Sequence, residues 1–484
     1  MSLKAKTVNG IFWATLQRFG IQVANLITQI ILARMLMPSD FGLIAMIGIF
    51  MVISQTLIDS GMTSSLIREQ QIEHKDYCTV FYINLCVSLL MYLILFITAP
   101  FIAIFFNEEI LTSLIRVYTI IFIVQVFSSI QLTKLTKEMK FKSQLTLQLP
   151  ATIIGGCCGI WMAYHNYGIW SLVGLNLITA LSLAVIVWLK VDWRPTLAFD
   201  FLSLKKHFKF GYKLTLSSLV ANVYSELYPL IIGRQFSSTE LGYYKQAHTL
   251  RMFPVSNITS ALAKVTYPLF SKVKDDNVKL KKIFKKITKL VFFFTTSIML
   301  FCVSIAEPLF RLILTEKWLP AAPYFQILCL AAIFYPLSMY NLNIIIAKGL
   351  SGLHLKLEIF KKICSIFILL ILLPFGIYGV VIASAIGMVF GALVNINYSG
   401  KLINYSIFSQ LRDLSPILIC GSVSMIFSSI YINHYSINTS DFLKLLIAGI
   451  IFYTSYIFMS YIFKLAVLHE LSDLIKYVFR KKMS

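Results

Sequence analysis

The stretch ILARMLMPSDFGL (residues 31–43) returns as IIGRQFSSTELGY (residues 231–243), 200 residues later and without a gap. The two copies share an arginine, an acidic residue and a glycine. These are Arg34, Asp40 and Gly42 in the first copy, and Arg234, Glu240 and Gly242 in the second. Chance produces short matches of this kind, so this match is evidence for an internal repeat only if the same offset continues beyond it.

The same offset continues upstream, in polar residues that interrupt two apolar stretches. The first set is Arg18, Gln22, Asn25 and Gln29, and the second is Ser218, Asn222, Ser225 and Pro229. Intervals of four, three and four place each set on one face of a helix. Lipid-facing polar groups are costly, so each stripe is expected to face a hydrated cavity. The repeat therefore predicts a duplicated, helical, membrane-spanning architecture.

The composition requires a membrane. The chain has 484 residues, of which 58% are hydrophobic and only 13% are charged, whereas soluble domains average about 25% charged residues. Backbone groups in hydrocarbon need internal partners, which leaves helices or a closed barrel. The apolar runs are long and lack the alternation of barrel strands. The predicted fold class is an all-α polytopic membrane protein.

Fourteen stretches are long and apolar enough to span a bilayer at about 20 residues each. They are residues 9–33, 42–67, 77–106, 111–133, 145–164, 168–189, 210–233, 246–270, 287–314, 321–347, 355–373, 376–399, 413–432 and 442–463. Six spans separate the two copies, so both copies have the same orientation and form parallel repeats. The predicted domains are an N-lobe (1–190, spans 1–6), a cytoplasmic linker (191–209), a C-lobe (210–400, spans 7–12), and spans 13–14 with a cytoplasmic tail (401–484).

Positive charges set the predicted orientation. With the N-terminus in the cytoplasm, the eight cytoplasmic segments hold 34 of the 43 Lys and Arg residues. Both termini are therefore predicted to be cytoplasmic, and the net charge of +22 reports topology and requires no nucleic-acid partner. The basic start of the chain is interpreted as the edge of a retained first span, since no convincing signal cleavage site follows it.

Several classes of chemistry have no support in the sequence. The eight cysteines form no C-x-x-C pair and no histidine cluster accompanies them, so no metal site is expected. No G-x-x-x-x-G-K-[ST] phosphate loop is present. The outer loops are short, and the acidic residues at their helix ends are interpreted as solvated charges. The chain is predicted not to be an enzyme and to need no cofactor.

Four charged residues fall inside the paired spans: Arg18, Asp59, Glu226 and Arg251. Each costs about 2.5–3.5 kcal/mol to insert, so each needs a partner or water. One hypothesis places them, with Gln22, Asn25 and Asn222, around a substrate cavity between the lobes, where guanidinium groups hold a phosphate. The alternative is that Arg18–Asp59 and Glu226–Arg251 are only inter-helix salt bridges. The residues alone leave both open.

DFGLIAMIGIFMVISQTLIDSGMTSSLI (40–67), DYCTVFYINL (76–85) and APFIAIFF (99–106) resemble the N-terminal part of bacterial polysaccharide-biosynthesis flippases. LIIGRQFSSTELGYYKQAHTLRMFP (230–254) and TYPLFSK (266–272) are similar to the span 7–8 signature of that family. The likeness is to the colanic-acid and teichuronic-acid exporter branch of the multidrug/oligosaccharidyl-lipid/polysaccharide exporter superfamily.

The resemblance implies a flippase for oligosaccharide repeat units on undecaprenyl pyrophosphate, working by alternating access in the bacterial cytoplasmic membrane. It implies coupling to H⁺ or Na⁺, and as partners the glycosyltransferases that load the lipid and the polymerase that uses it. Asp59 lies where the family usually has an acidic residue. The family tends to have Asp in span 7, where this chain has Tyr228, with Glu226 nearby.

Two other transporters of the same superfamily remain as alternatives. A drug/cation antiporter shares the two-lobe plan but usually has twelve spans, and the arginines favour an anionic substrate. A lipid II flippase is closer to the observed features. Identifying the neighbouring genes discriminates between the two flippases, because sugar transferases indicate surface polysaccharide and cell-wall enzymes indicate lipid II.

Overall fold

The computed structural model describes residues 3–435 and 439–468. Every regular element in those ranges is a helix, which confirms the all-helical fold class. The chain divides into two compact units, Met1–Gly242 and Tyr243–Ser484, and the division lies near the start of helix α11 (Ser238–Lys272). The lobe boundaries at residues 190, 210 and 400 stay a prediction, since packing into units does not test the repeat.

The first unit holds ten helices before α11. They are α1 (Leu3–Met35), α2 (Pro38–Asp59), α3 (Met62–Arg68), α4 (His74–Phe106), α5 (Ile110–Tyr118), α6 (Ile120–Lys137), α7 (Phe141–Tyr164), α8 (Trp170–Lys190), α9 (Phe201–Ser225) and α10 (Leu227–Gln235). Helix α7 packs along both α1 and α8, while α9 packs against α2, α3 and α4.

The remaining helices belong wholly or mainly to the second unit. They are α11 (Ser238–Lys272), α12 (Asn277–Ser304), α13 (Ala306–Leu314), α14 (Ala322–Ala332), α15 (Tyr335–Ala347), α16 (Ser351–Leu372), α17 (Gly376–Leu402), α18 (Ile407–Ile430) and α19 (Asp441–Ile462). Within this unit α17 packs against α14, α15 and α16, and α18 packs against α12 and α19.

Ten segments in the described chain are long and apolar enough to cross a membrane. One of them, Ser351–Leu402, contains two helices joined by a short turn. The polar helices α1, α9 and α11 fall outside these ten, although predicted spans 1, 7 and 8 lie on them. The count is consistent with fourteen spans, and the chain is a multi-pass membrane protein.

Five predicted spans, numbers 2, 4, 7, 9 and 10, are each divided into two helices in the described chain, and the breaks in spans 2 and 7 matter for the site. Span 2 divides into α2 and α3 because Ser60 and Gly61 both adopt positive φ, at 42° and 65°, which ends a right-handed helix. Span 7 divides into α9 and α10 at Glu226. Pro229 explains the second break, since its ring clashes with the carbonyl of the residue four positions earlier, here Ser225 at the end of α9.

Local sequence also explains where the paired helices begin. Pro38 occupies the first turn of α2, where a missing N–H costs nothing. The Asp40 carboxylate then accepts a hydrogen bond from the Met37 amide at 2.9 Å, which closes the helix start. Helix α9 begins at the Asp200 carboxylate, which accepts from the Ser203 amide at 3.0 Å and from the Ser203 hydroxyl. These bonds also lower the pKa of Asp200.

Candidate functional site

Spans 2 and 7 pack against each other as an antiparallel pair in the first unit, here called the α2–α9 interface (residues 38–68 against 203–242). Its middle contains Asn222, one of the sequence-predicted site residues. The Asn222 amide donates a hydrogen bond to the Thr56 hydroxyl at 2.8 Å. Thr56 in turn donates to the Val52 carbonyl at 2.7 Å. Asn222 is thus a bridge between the two spans.

Glu226 occupies the break between α9 and α10, beside Gly48 of α2. Its Oε2 atom is buried and accepts no hydrogen bond from the described residues. A buried carboxylate oxygen without a donor is costly unless a proton, a cation or a substrate group reaches it. The break in span 7 therefore presents an acidic side chain that the fold itself does not satisfy.

Asp59 ends α2 at the break in span 2, and its carboxylate accepts a hydrogen bond from Gln55 at 3.3 Å. Arg18 and Asn25 are exposed on α1, whereas Gln22 is half-buried. The structure pairs no charged group with Arg18 among the described residues, so the Arg18–Asp59 salt bridge considered from the sequence does not form. Discontinuous helices that carry unpaired polar groups are typical of transporter binding sites.

One end of the α2–α9 interface is made by the two copies of the repeat motif. A methyl group on Gly42 would overlap the carbonyl oxygen of Ser238, and one on Gly242 would overlap the carbonyl oxygen of Pro38. These contacts are reciprocal at the 200-residue offset, because Ser238 is the counterpart of Pro38. The shared glycines allow each backbone to approach the other. We call this end the glycine contact (Pro38–Gly42 and Ser238–Gly242).

The other residues shared by the two copies of the motif lie around the glycine contact. The Arg234 guanidinium sits 5.2 Å from the centre of the Phe105 ring, and the Glu240 amide donates to the Ser237 hydroxyl at 3.2 Å. Arg34 is exposed and engages neighbouring groups. The motif residues thus shape helix ends and a close backbone contact.

The opposite end of the α2–α9 interface is a polar cluster that sequence reasoning missed, here called the histidine cluster (Ser65, Asp76 and His207). The His207 ring is fully buried, 2.8 Å from the Ser65 hydroxyl through Nδ1 and 3.4 Å from Asp76 through Nε2. Burial lowers the pKa of His207, against the opposing effect of the Asp76 charge. His207 lies within the run KKHFK, which reads from sequence as an ordinary cytoplasmic segment.

Charged and close contacts surround the histidine cluster. Lys206 forms an ion pair with Glu69 at 3.2 Å, and Lys137 donates to the Glu69 carbonyl at 2.7 Å. Gly61 and Gly211 approach so closely that a methyl group on either would overlap the backbone of the other helix. This end of the interface is held by side-chain hydrogen bonds, an ion pair and backbone contact together.

Arg251 lies in the second unit, where it is only 3% exposed. Its surroundings are Tyr244, Cys329 and Tyr335, and one guanidinium nitrogen is 3.8 Å from the sulfur of Met388. Among the residues of this unit that the structure describes, the Nε atom has no hydrogen-bond partner and no carboxylate pairs with the group. Burying an unpaired charge costs several kcal/mol, so this guanidinium is expected to meet an anion when the protein works.

Comparison with known protein families matches residues 31–323 to the family described as "Polysaccharide biosynthesis protein". The match covers more than half of the chain and includes both copies of the repeat motif. The chain belongs to this family. The resemblance drawn from the motif residues is thereby confirmed.

Curated relatives agree with the family. The chain is 24% identical over 420 residues to the lipopolysaccharide biosynthesis protein WzxC of Escherichia coli (strain K12), covering 86% of this chain and 83% of that protein. It is 22% identical to the teichuronic acid biosynthesis protein TuaB of Bacillus subtilis (strain 168), with 73% of each chain covered. It is 24% identical to the succinoglycan biosynthesis transport protein ExoT of Rhizobium meliloti (strain 1021), covering 68% and 67%.

Solved structures of other proteins have the same fold as this chain. The lipid II flippase MurJ, in an inward closed conformation, matches with a TM-score of 0.75 at 15% identity, over 93% of this chain and 98% of that one. A multidrug resistance MATE transporter of the MOP superfamily in an inward-facing conformation matches with a TM-score of 0.61 at 17% identity, over 81% and 98%. The chain therefore has the helical fold of this transporter superfamily.

Proposed function

We propose that this chain is a flippase that carries undecaprenyl-pyrophosphate-linked oligosaccharide repeat units across the bacterial cytoplasmic membrane by alternating access. The glycans are repeat units of O-antigen, exopolysaccharide or capsule. Support comes from family membership and from relatives named for lipopolysaccharide, teichuronic acid and succinoglycan biosynthesis. Both termini are placed in the cytoplasm by the distribution of Lys and Arg.

The observation that carries the proposal is the buried, unpaired guanidinium of Arg251. A pyrophosphate head group supplies the anion that this site lacks, and guanidinium binds phosphate oxygens with two parallel donors. Its role is to bind and orient the head group, and no bond is made or broken. The protein is accordingly proposed to act without catalysis and without a resident cofactor.

Replacing Arg251 by Met separates a transport role from a structural one. An apolar side chain of similar length removes the unpaired buried charge, so folding is expected to be unchanged or improved. Loss of the phosphate partner is expected to reduce translocation at least tenfold. The measurement is the appearance of lipid-linked oligosaccharide on the outer face of spheroplasts, normalised to the amount of protein in the membrane.

Arg412→Met is the matched control, since Arg412 is an exposed arginine of the same unit. It is expected to transport normally. Normal transport by Arg251→Met at normal abundance would contradict the proposal. Accumulation of lipid II, with surface polysaccharide unchanged in the deletion strain, would instead identify the chain as a lipid II flippase.

Glu226 and Asp59 are the residues proposed to couple transport to an H⁺ or Na⁺ gradient. Glu226 supports this role best, because its buried Oε2 has no hydrogen-bond donor among the described residues. A bound proton or cation would stabilise that oxygen. Glu226→Gln is expected to retain binding of the lipid-linked glycan but to lose the stimulation of transport by an imposed ion gradient. The glycosyltransferases that load the lipid and the polymerase that uses it are the proposed partners.

A further inference from the structure

A cavity of about 420 Å³ lies in the first unit, where the end of α6, the start of α7 and the segment after α8 meet. All three regions belong to the face that the distribution of Lys and Arg predicts to be cytoplasmic. The residues that line it are Lys134, Leu135, Glu138, Lys140, Ser143, Thr146, Leu147, Lys190, Val191, Asp192 and Trp193.

The lining carries one net positive charge, from three lysines and two carboxylates. Lys140 is neutralised by Glu138, with 2.7 Å between the ammonium nitrogen and the carboxylate oxygen. Lys134 is half-buried and Lys190 is exposed, and neither has a hydrogen-bond or ion-pair partner among the residues that the structure describes. Two lysines whose ammonium groups have no described partner therefore line a single cavity.

Neutral donors add to the two free lysines. Helix α7 begins at Phe141, so the amides of its first turn lack helical acceptors, and the helix dipole favours an anion there. Ser143 in that turn lines the cavity. Trp193 also lines it, is 94% buried, and its indole N–H has no hydrogen-bond partner in the described part of the chain. A buried indole N–H normally finds an acceptor, so its lack of one independently indicates a ligand.

A lipid-facing stripe runs from the cavity along α7. Thr146 lines the cavity, and the exposed residues Pro150, Ile153, Cys157 and Trp161 follow it at helical intervals of four, three, four and four. All four are apolar, with Ile153 51% and Trp161 58% exposed. An acyl chain lying on this stripe would place its head group at the cavity. The continuity favours a lipid over a soluble anion.

We propose that this cavity binds the phosphate group of a membrane phospholipid, with Lys134 and Lys190 as its cationic partners and one acyl chain on the α7 stripe. The Ser143 hydroxyl and the Trp193 indole donate to the remaining phosphate oxygens. Asp192, exposed at the rim, accepts from head-group hydroxyls, which suits a glycerol head group. The site is separate from the residues proposed to handle the transported glycan.

The test is binding of phosphatidylglycerol to the delipidated full-length protein in detergent, measured by titration and by native mass spectrometry. The variant Lys134→Ala/Lys190→Ala is expected to bind about 30-fold more weakly, because each lysine contributes about 1 kcal/mol towards an anionic lipid. Lys279→Ala/Lys282→Ala is the matched control, since it removes two exposed lysines of the same predicted face outside the cavity. It is expected to bind normally.

Each outcome decides the proposal. Weakened binding in the cavity variant alone supports it, and unchanged thermal unfolding without lipid shows that the variant is folded. Equal binding by wild type and the cavity variant, or equal loss in the control, overturns the site. Inorganic phosphate that competes as strongly as phosphatidylglycerol would show an anion site without lipid specificity, and would overturn the assignment to a phospholipid.

Discussion

The two ends of the α2–α9 interface bring the same two spans together by different chemistry. At the glycine contact, backbone packs against backbone, and Gly42 and Gly242 make equivalent contacts with Ser238 and Pro38. At the histidine cluster, a buried ring joins Ser65 to Asp76 and an ion pair lies alongside. One end depends on shape, and the other depends on groups whose charge changes with pH.

This difference indicates how each end is controlled in a protein that alternates between conformations. Separating the glycine contact exposes only backbone that water or lipid head groups can satisfy. Separating the histidine cluster requires three buried polar groups to find new partners, which costs more unless water enters. Substitutions that change side-chain size should therefore affect the glycine contact most. Changes in protonation should affect the histidine cluster most.

The largest effect is expected from Gly42→Ala. Its methyl group overlaps the Ser238 carbonyl, and alanine has no rotamer that could relieve the clash, so α2 and the start of α11 must move. We expect a loss of more than about 3 kcal/mol of stability together with loss of transport. Thermal unfolding in detergent and complementation of a deletion strain measure the two effects.

Gly20→Ala is the control for Gly42→Ala. Gly20 lies in α1 of the same unit, and a methyl group there would lie 3.8 Å from its nearest neighbour, the Leu145 side chain of α7. It is expected to be neutral or slightly stabilising, as alanine is favoured over glycine within helices. Equal behaviour of the two variants would show that the glycine contact is not required.

His207→Ala is expected to have the second largest effect. It leaves Asp76 and Ser65 buried without their shared partner, and we expect a loss of about 2 kcal/mol. The measurement is thermal unfolding at pH 7.5. His434→Ala, at an exposed histidine, should leave the unfolding temperature unchanged. A neutral His207→Ala would show that the cluster contributes nothing to the interface.

The pH dependence of stability should distinguish the two ends. Burial lowers the pKa of His207 in the folded protein below its ordinary value of 6.5. Below about pH 6.5 the unfolded chain therefore binds a proton that the folded chain excludes. Stability is complete above that pH and is lost as pH falls towards the folded-state pKa, by at most about 1.4 kcal/mol per pH unit.

The measurement is the difference in thermal unfolding between pH 7.5 and pH 5.5. Wild type should lose more stability than His207→Gln, which has no titrating ring, and Gly42→Ala should keep the wild-type slope. Asp76, Glu69 and Lys206 also lie near the ring, so only the difference between wild type and His207→Gln is assigned to His207. Identical slopes in these two proteins would contradict the assignment.

The smallest effect is expected at the middle of the interface. The Asn222–Thr56 hydrogen bond should contribute about 1 kcal/mol, as a typical partly buried hydrogen bond does. A double-mutant cycle with Asn222→Ala and Thr56→Val measures their coupling directly. Coupling near zero, with both single variants destabilised, would mean that each residue acts through other neighbours.

The repeat and the membrane fold were predictable because both depend on patterns in the linear sequence. The 200-residue offset of Arg34, Asp40 and Gly42 needs only the order of residues, and apolar length identifies spans one at a time. The structure adds a reason for the offset at Gly42 and Gly242, whose contact partners are also related by it. The domain boundaries and the roles of the cavity residues stay predictions.

The histidine cluster could not be predicted, because its members lie far apart in sequence. Ser65 and His207 are 142 residues apart, and Asp76 and His207 are 131 apart. The breaks in spans 2 and 7 were missed for a different reason. Apolar periodicity continues through Ser60–Gly61 and through Glu226, so a hydropathy pattern reads each pair of helices as one span. Pro229 was the available local signal for the second break.

The sequence by itself determined that this protein is helical, spans a membrane many times and carries a duplicated motif. These properties follow from the apolarity and charge of each residue summed along the chain. Only the tertiary structure decided which polar groups find partners. His207 is satisfied by two distant side chains, whereas the Nε atom of Arg251 and the Oε2 atom of Glu226 have no hydrogen-bond partner among the described residues. Partners depend on distances in space that no linear pattern contains.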